Sequence, residues 1–146
     1  ETMQPRKIAY YGDTGISYTY SNLRQEAKPW VPVLIELKKL VEAHCKQEFN
    51  SVLLNMYRSD RDSMSWHSDN EKELGINPTI ASISFGESRI FQLRHTETKD
   101  QHKILLESGS LLIMTGSTQH HWKHQVPKRR ALCGPRINLT FRKVIS

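Results

Sequence analysis

The chain has 146 residues, of which 37% are hydrophobic and 25% charged, and it carries a net charge of +6. That size suits one compact domain with a single core, and the composition is that of a globular chain, not a disordered one. No apolar run of about 18 residues occurs, and the opening ETMQPRK lacks the apolar stretch of a secretory leader, so neither a membrane span nor export is expected.

The two cysteines, Cys45 and Cys133, lie far apart without CxxC spacing, which argues against a disulfide framework or structural zinc and for a reducing interior. The chain starts at Glu1 without an initiator methionine, which reads as a fragment trimmed from something longer. Its charge is unevenly placed. All 15 acidic residues fall within residues 1–107 beside 14 basic ones, and the rest of the chain holds seven basic residues and no acid. A cationic surface of this kind attracts phosphates and speeds encounter with nucleic acid, or is simply solvated.

Along the chain, PWVPVLIELKKLVEAHCKQ puts Val33, Leu34, Leu37, Leu40, Val41 and His44 at helical spacing, with Pro32 suited to a first turn. It predicts one amphipathic helix with His44 at the edge of the apolar stripe. The pattern then changes to short runs of period two: FNSVLLNMYR, TIASISFG, RIFQLRH, HKILLE, SLLIMTG and RINLTFRKVI. One helix followed by six or more strands predicts an α+β, mainly β arrangement in which the helix covers a β-sandwich or jelly roll. The alternating helices of a parallel α/β fold are missing.

Two strands are informative by face. Leu53, Asn55 and Tyr57 share one side of theirs; Ile137, Leu139 and Phe141 lie opposite Arg136, Asn138, Thr140 and Arg142. An all-polar face is either the solvent face of the strand or the lining of a small polar cavity that holds an anion.

Between these strands lies MSWHSDNE, with His67 and Asp69 two residues apart. In extended backbone, residues i and i+2 point the same way at roughly 6 to 7 Å, so the two side chains converge on one point. That point suits a metal: two imidazoles and one carboxylate on one face leave open positions, the ligand set of non-haem Fe(II) oxygenases. An HxD pair alone also occurs as an ion-paired surface strand. A third ligand has to come from His44, His95, His102, His120, His121 or His124, and the choice falls on the segment QHHWKHQVP. There His120 and His121 face opposite ways, and His124 precedes the final strand.

Taken in order, NMYR, WHSDNE, IASISFG, WKHQVP and PRINLTFR, preceded by PRKIAYYGD and YTYS, resemble the AlkB family of Fe(II)/2-oxoglutarate-dependent dioxygenases over nearly the whole chain. The resemblance is to the members that repair alkylated DNA or RNA. It implies a double-stranded β-helix, or jelly roll, with an N-terminal supporting helix, residues 1–146 forming a single catalytic domain, truncated at its N-terminus. It further implies that His67, Asp69 and His124 hold Fe(II), that Asn55, Tyr57 and Asn138 hydrogen-bond the co-substrate 2-oxoglutarate, and that Arg136 and Arg142 neutralise its carboxylates. The activity implied is O₂-dependent loss of an N-alkyl group from a nucleobase as an aldehyde, with succinate and CO₂ formed: direct-reversal DNA repair.

For the substrate, the resemblance places Arg6, Tyr18 and Tyr20 against the base and Glu71 on its exocyclic amino group, although a solvent-facing carboxylate is the plain alternative for Glu71. Asn70 departs from the acidic residue usual at that position, which leaves substrate preference open. Arg94, His95, Lys123, Lys128, Arg129 and Arg130 are candidates for backbone contacts, with Lys143 part of the same basic surplus. The partner expected is alkylated DNA, single-stranded or with a flipped base, or RNA, bound by a monomer without a membrane. A repair enzyme of this kind is cytoplasmic in a bacterium and nuclear, with a cytoplasmic share, in a eukaryote. Two other readings stand beside it: a 2-oxoglutarate-dependent protein hydroxylase or demethylase of the same fold, and an inert nucleic-acid-binding module.

Overall fold

The computed structural model describes residues 6–20 and 22–145, and of Tyr20 only the backbone. In chain order its elements are β1 (Lys7–Gly12), β2 (Ser17–Tyr20), β3 (Leu23–Glu26), α1 (Pro32–Cys45), β4 (Ser51–Tyr57), β5 (Met64–His67), a 3₁₀ turn (Lys72–Leu74), β6 (Ile80–Gly86), β7 (Arg89–His95), β8 (Gln101–Leu106), β9 (Leu111–Met114), α2 (Thr118–His121), β10 (Trp122–Val126) and β11 (Arg136–Arg142).

Helix α1 starts with Pro32 in its first turn and ends where Lys46 takes a left-handed conformation (φ 52°) that returns its N–H to the Glu42 carbonyl. The Glu42 carboxylate pairs with Lys38 at 3.0 Å and accepts the Phe49 N–H at 2.7 Å, fixing the exit towards β4. The buried stripe is narrower than the spacing predicts. Leu34 and Val41 are buried, with Leu37 and Cys45 packed beside them, whereas Val33 and Leu40 are 59% and 60% exposed and His44 is exposed too. A helix resting on one sheet surface buries only the side chains that face it, and Val33, Leu40 and His44 are rotated off that line.

Strands β1, β4, β11, β6 and β9 form one sheet in that order, β5, β10, β7 and β8 a second, and β2 and β3 a hairpin. The paired strands run antiparallel, and the fold is the expected jelly roll with a covering helix. Among the described residues no helix is long and apolar enough to cross a membrane. One face of the larger sheet packs Val52, Ala81, Leu139 and Phe141 against α1. The other looks into the molecule, where Leu53, Tyr57 and Ile80 meet Phe91, Leu106 and Val126 of the second sheet.

Strand β11 lies between β4 and β6, with Asn138 opposite Asn55 on one side and Ser84 on the other. Leu139 and Phe141 on one of its faces lie in the core under α1, and the other face turns towards the second sheet. Arg136, Asn138, Thr140 and Arg142 are only 1%, 7%, 7% and 5% exposed, so the polar face lines the interior and does not meet solvent.

The division of the larger sheet into two faces predicts unequal sensitivity to truncation. Phe141→Ala removes a fully buried ring from under the helix and should lower stability by about 3 to 5 kcal/mol. Leu40→Ala, on the open side of α1, should change it by less than about 1 kcal/mol. Urea unfolding midpoints of the two variants check the contrast, and equal losses would contradict this packing.

Candidate active site

His67, the last residue of β5, sits directly across the ladder from His124 of β10, with ring centroids 4.3 Å apart. Phe91 stacks against His124 at 5.1 Å, so the imidazole has an apolar wall behind it. After His67 the strand stops. Asp69 therefore converges on His67 from an irregular segment and not from extended ladder, and Glu71 caps the 3₁₀ turn where strand alternation would have continued. The His67 Nε2 to Asp69 Oδ1 distance is 3.9 Å, and ligand atoms of His67, Asp69 and His124 lie within 4.8 Å of one another.

Among the described residues this is the one group of three such side chains close enough to share an ion. The choice of third ligand is thereby narrowed to His124. His44 is exposed on the helix; His95 and His102 pack on Trp122 at 5.0 and 5.4 Å, and His121 lies parallel to His95 at 5.9 Å.

The protonation states suit metal binding. His67 Nδ1 lies 2.9 Å from the Ser65 carbonyl, which can only accept, so the tautomer that fits this contact has its proton on Nδ1 and leaves Nε2 as the ligand atom. Burial, then the neighbouring His67 and Arg142, push the His124 imidazole down to about 4 against the pull of Asp69, so it is neutral at pH 7. Burial alone would raise the Asp69 carboxyl, but Arg142 above all, then His124 and His67, outweigh it and hold it below the ordinary carboxylate range. Arg142 Nη2 donates to Asp69 Oδ1 at 3.1 Å. Burial disfavours the Arg142 charge, and Asp69 first, with Glu71, restores it.

The inward face of β11 completes the cavity. Arg136, Asn138, Thr140 and Arg142 line it together with Asn55, Tyr57, His67, Asp69 and His124. Arg136 Nη2 donates to Ser84 Oγ at 2.8 Å, and the guanidiniums of Arg136 and Arg89 lie 5.1 and 5.4 Å from the centroid of the Tyr57 ring. Arg89 is itself held by the Asp62 and Pro127 carbonyls, both at 2.8 Å.

Nε and Nη1 of both Arg136 and Arg142 have no hydrogen-bond partner among the described residues. Burial foremost, and the nearby Arg89, lower the pKa of Arg136 against the opposing pull of Tyr57, and among the described residues no carboxylate pairs with it. A guanidinium left in that condition is costly unless an anion meets it, and a carboxylate fits its fork. Three convergent ligands next to two buried cations with free donors thus fit Fe(II) and a dianionic co-substrate.

The amides play different parts. Asn55 Oδ1 accepts Arg6 Nε at 2.8 Å, which leaves the amide N–H groups of Asn55 as its remaining donors. Asn138 Nδ2 engages Ser84 Oγ at 3.2 Å as well as Ser82 Oγ, and Asn138 Oδ1 accepts Thr140 Oγ1 at 2.8 Å, so strand neighbours already hold it.

The expected substrate residues are only partly brought together. Tyr18 is buried beneath the Arg142 guanidinium, 5.5 Å from its ring centroid, and burial with neighbouring Asp69 and Glu71 keeps its hydroxyl neutral. Glu71 is half-buried beside it, which removes the solvent-facing alternative. Arg6 is buried in the wall, donating also to the Ser63 carbonyl at 3.3 Å, and does not stand at the rim. Tyr20 lies on β2 opposite Leu23, and its side chain falls outside the described residues.

The basic surplus does not form one face. Arg94 covers the Trp66 ring at 4.4 Å and borders a hollow with Lys99 and Lys123, whereas Lys143 lines a separate hollow with Gln47 and Gly75. Arg129 pairs with Glu87 at 3.3 Å, and His95 Nδ1 accepts the Glu97 and Thr98 N–H groups of its own turn. Lys128 and Arg130 are exposed.

Sequence reasoning missed Ser82, Ser84, Arg89 and Gln119. The alternation of TIASISFG put Ser82 and Ser84 on the side of Ile80, the signal that would have found them. Nothing local marks Arg89 or Gln119, whose partners are remote in the chain.

The depressed His124 pKa makes a signed prediction for the metal-free protein. Between its folded value of about 4 and an unfolded value near 6.5, the unfolded chain binds more protons. Stability is complete above about pH 6.5 and falls as pH drops, by about 2 kcal/mol at pH 5. Urea midpoints at pH 7 and 5 should show that loss in the parent chain and a smaller one in His124→Gln. Equal losses in both would contradict the buried neutral imidazole.

Residues 1–142 match the family model described as the 2OG-Fe(II) oxygenase superfamily. The chain is 43% identical over 149 residues to "DNA oxidative demethylase ALKBH2" of Bos taurus, covering 97% of this chain and 54% of that protein. It is 46% identical over 151 residues to "Alpha-ketoglutarate-dependent dioxygenase alkB homolog 3" of Homo sapiens, covering 97% of this chain and 52% of the other. It therefore spans about half the length of the curated relatives it matches. The solved structure described as "The structure of OsALKBH1" covers 95% of this chain and 78% of that one with a TM-score of 0.70 at 19% identity, a likeness of fold. Family model, relatives and the convergent His-Asp-His group agree that the chain belongs to the AlkB family of the 2OG-Fe(II) oxygenase superfamily, whose members work with Fe(II), 2-oxoglutarate and O₂.

Proposed function

We propose that this chain carries the catalytic centre of an oxidative dealkylase acting on N-alkylated bases in DNA, or in RNA. The observation that carries the proposal is the single cavity that joins the His67, Asp69 and His124 group to two buried arginines with unpartnered donors. With 2-oxoglutarate and O₂, Fe(II) bound there supplies an oxidant for the C–H bond of an N-alkyl group; 2-oxoglutarate is converted to succinate and CO₂ and the alkyl carbon departs as an aldehyde.

The chain's own groups then have distinct tasks. His67 and His124 offer ring nitrogens and Asp69 a carboxylate, a ligand set with one negative charge. Arg136 receives a carboxylate of 2-oxoglutarate in its open fork, with the Asn55 N–H groups beside it. Arg142 holds the Asp69 carboxylate in place and presents its remaining donors to the same cavity. Tyr18, neutral and packed against Arg142, forms a wall for the base, and Glu71 accepts from an exocyclic amino group.

These residues lie inside the fold, so the base has to leave its stack to reach them. That favours a single strand or a flipped nucleotide, bound by a monomer. Arg94, Lys123, Lys128 and Arg130 supply phosphate contacts. Support for a nucleobase over a protein substrate comes from the nearness of Tyr18 and Glu71, both with buried oxygens unpartnered among the described residues, and from relatives named as DNA demethylases. An inert binding module would leave the two buried cations without a purpose.

The test is turnover on methylated single-stranded DNA with Fe(II), ascorbate and 2-oxoglutarate, following succinate and demethylated base together. Both should form in step, and Asp69→Ala should bring both to background. Arg142→Ala should weaken Mn(II) and 2-oxoglutarate binding together, because its guanidinium touches the metal ligand. Succinate without any demethylated base, from iron-loaded protein and intact substrate, would remove the nucleobase assignment.

A further inference from the structure

Asp69 presents a problem of backbone chemistry. Strand β5 ends at His67, whose partner across the ladder is His124, so the chain leaves the ladder just before Asp69. Asp69 is 1% exposed, and a main-chain N–H at such a place must find a partner or remain unsatisfied away from water. The partner is Gln119 Oε1, at 2.8 Å, from α2.

Gln119 is itself 3% exposed, and its Nε2 donates to Met114 Sδ at 3.5 Å. Helix α2 is anchored in turn, with Thr118 Oγ1 donating to the Thr115 carbonyl at 2.6 Å and the Thr96 N–H donating to the His121 carbonyl at 2.8 Å. The helix continues without a break into β10, which carries His124.

We infer that Gln119 is a positioning residue of the metal centre, fixing the backbone of Asp69 relative to the α2–β10 segment that bears His124. The inference rests on the reading of His67, Asp69 and His124 as metal ligands. His67 and His124 need no such link, being cross-strand partners already. Asp69 has no ladder to place it: Arg142 orients its carboxylate and Gln119 its main chain. Without Gln119, the carboxylate would still be paired but its Cα could drift relative to the two imidazoles. A group that orients a metal ligand in this way commonly affects affinity by about 10- to 100-fold.

The measurement is Co(II) titration of the full chain, followed by its visible absorption, at a temperature where circular dichroism shows every variant folded. Gln119→Leu, of similar shape but without an acceptor, should weaken Co(II) binding about 10- to 100-fold and alter the spectrum. Gln119→Glu, which keeps an acceptor oxygen at the same reach, should recover much of the affinity and the parent band shape. Should Gln119→Leu not fold, Gln119→Asn, one methylene shorter, puts the same question and should also bind weakly.

A folded Gln119→Leu with the parent affinity and spectrum would overturn the inference. So would equal losses in Gln119→Leu and Gln119→Glu, which would point to packing and not to the acceptor. Asp69→Ala separates the two levels: if it binds Co(II) as the parent does, the ligand assignment itself fails, and the role of Gln119 with it.

Discussion

Burying a guanidinium is strongly unfavourable unless an anion meets it, and β11 buries two. The face of the strand that carries Arg136 and Arg142 turns towards Phe91, Leu106 and Val126 of the second sheet, so neither side chain reaches solvent along it. One of them has a partner within the chain, since Arg142 meets Asp69 at 3.1 Å. The other meets the Ser84 hydroxyl and Tyr57, with no carboxylate paired to it among the described residues. Much of the site follows from that imbalance: a cavity holding more positive charge than negative is one built to receive an anion.

The same residues tie the parts of the site together. Arg142 touches a metal ligand on one side and lies over Tyr18 of the β2–β3 hairpin on the other. Tyr18 in turn stands beside Glu71, two residues beyond Asp69. The His67, Asp69 and His124 group, the unpartnered donors of β11 and Tyr18 are therefore linked through one guanidinium, and the two sheets of the jelly roll bring their contributors face to face. His67 and His124 come from one sheet, Arg136 and Arg142 from the other.

How legible this was in the sequence depends on the range of the forces involved. Helix α1 and strands β4, β6, β7, β8, β9 and β11 were readable because burial imposes a period of 3.6 or 2 on consecutive residues. The width of the helix stripe was not, because the shape of the sheet beneath it decides whether Val33 and Leu40 are covered. Strand β10 is five residues long and half polar, and its pairing with β5 and β7 defines it more than its own pattern does. The alternation of RINLTFR marked a polar face but left open whether it met water; that was decided by the neighbours of β11. His67 and Asp69 stood out by spacing, whereas Gln119 and Arg89 act through contacts that span long stretches of chain.

The central claim is that the fold tolerates Arg136 at this depth because a dianion compensates it. Urea unfolding of the parent chain and of Arg136→Met, with and without 2-oxoglutarate and Mn(II), tests it most directly. If the claim is right, the methionine variant is as stable as the ligand-free parent or more so, since an uncompensated charge has been exchanged for an apolar chain of similar volume. It should also lose the stabilisation that 2-oxoglutarate gives the parent. A variant that is less stable without ligand, yet still stabilised by 2-oxoglutarate as the parent is, would contradict the account.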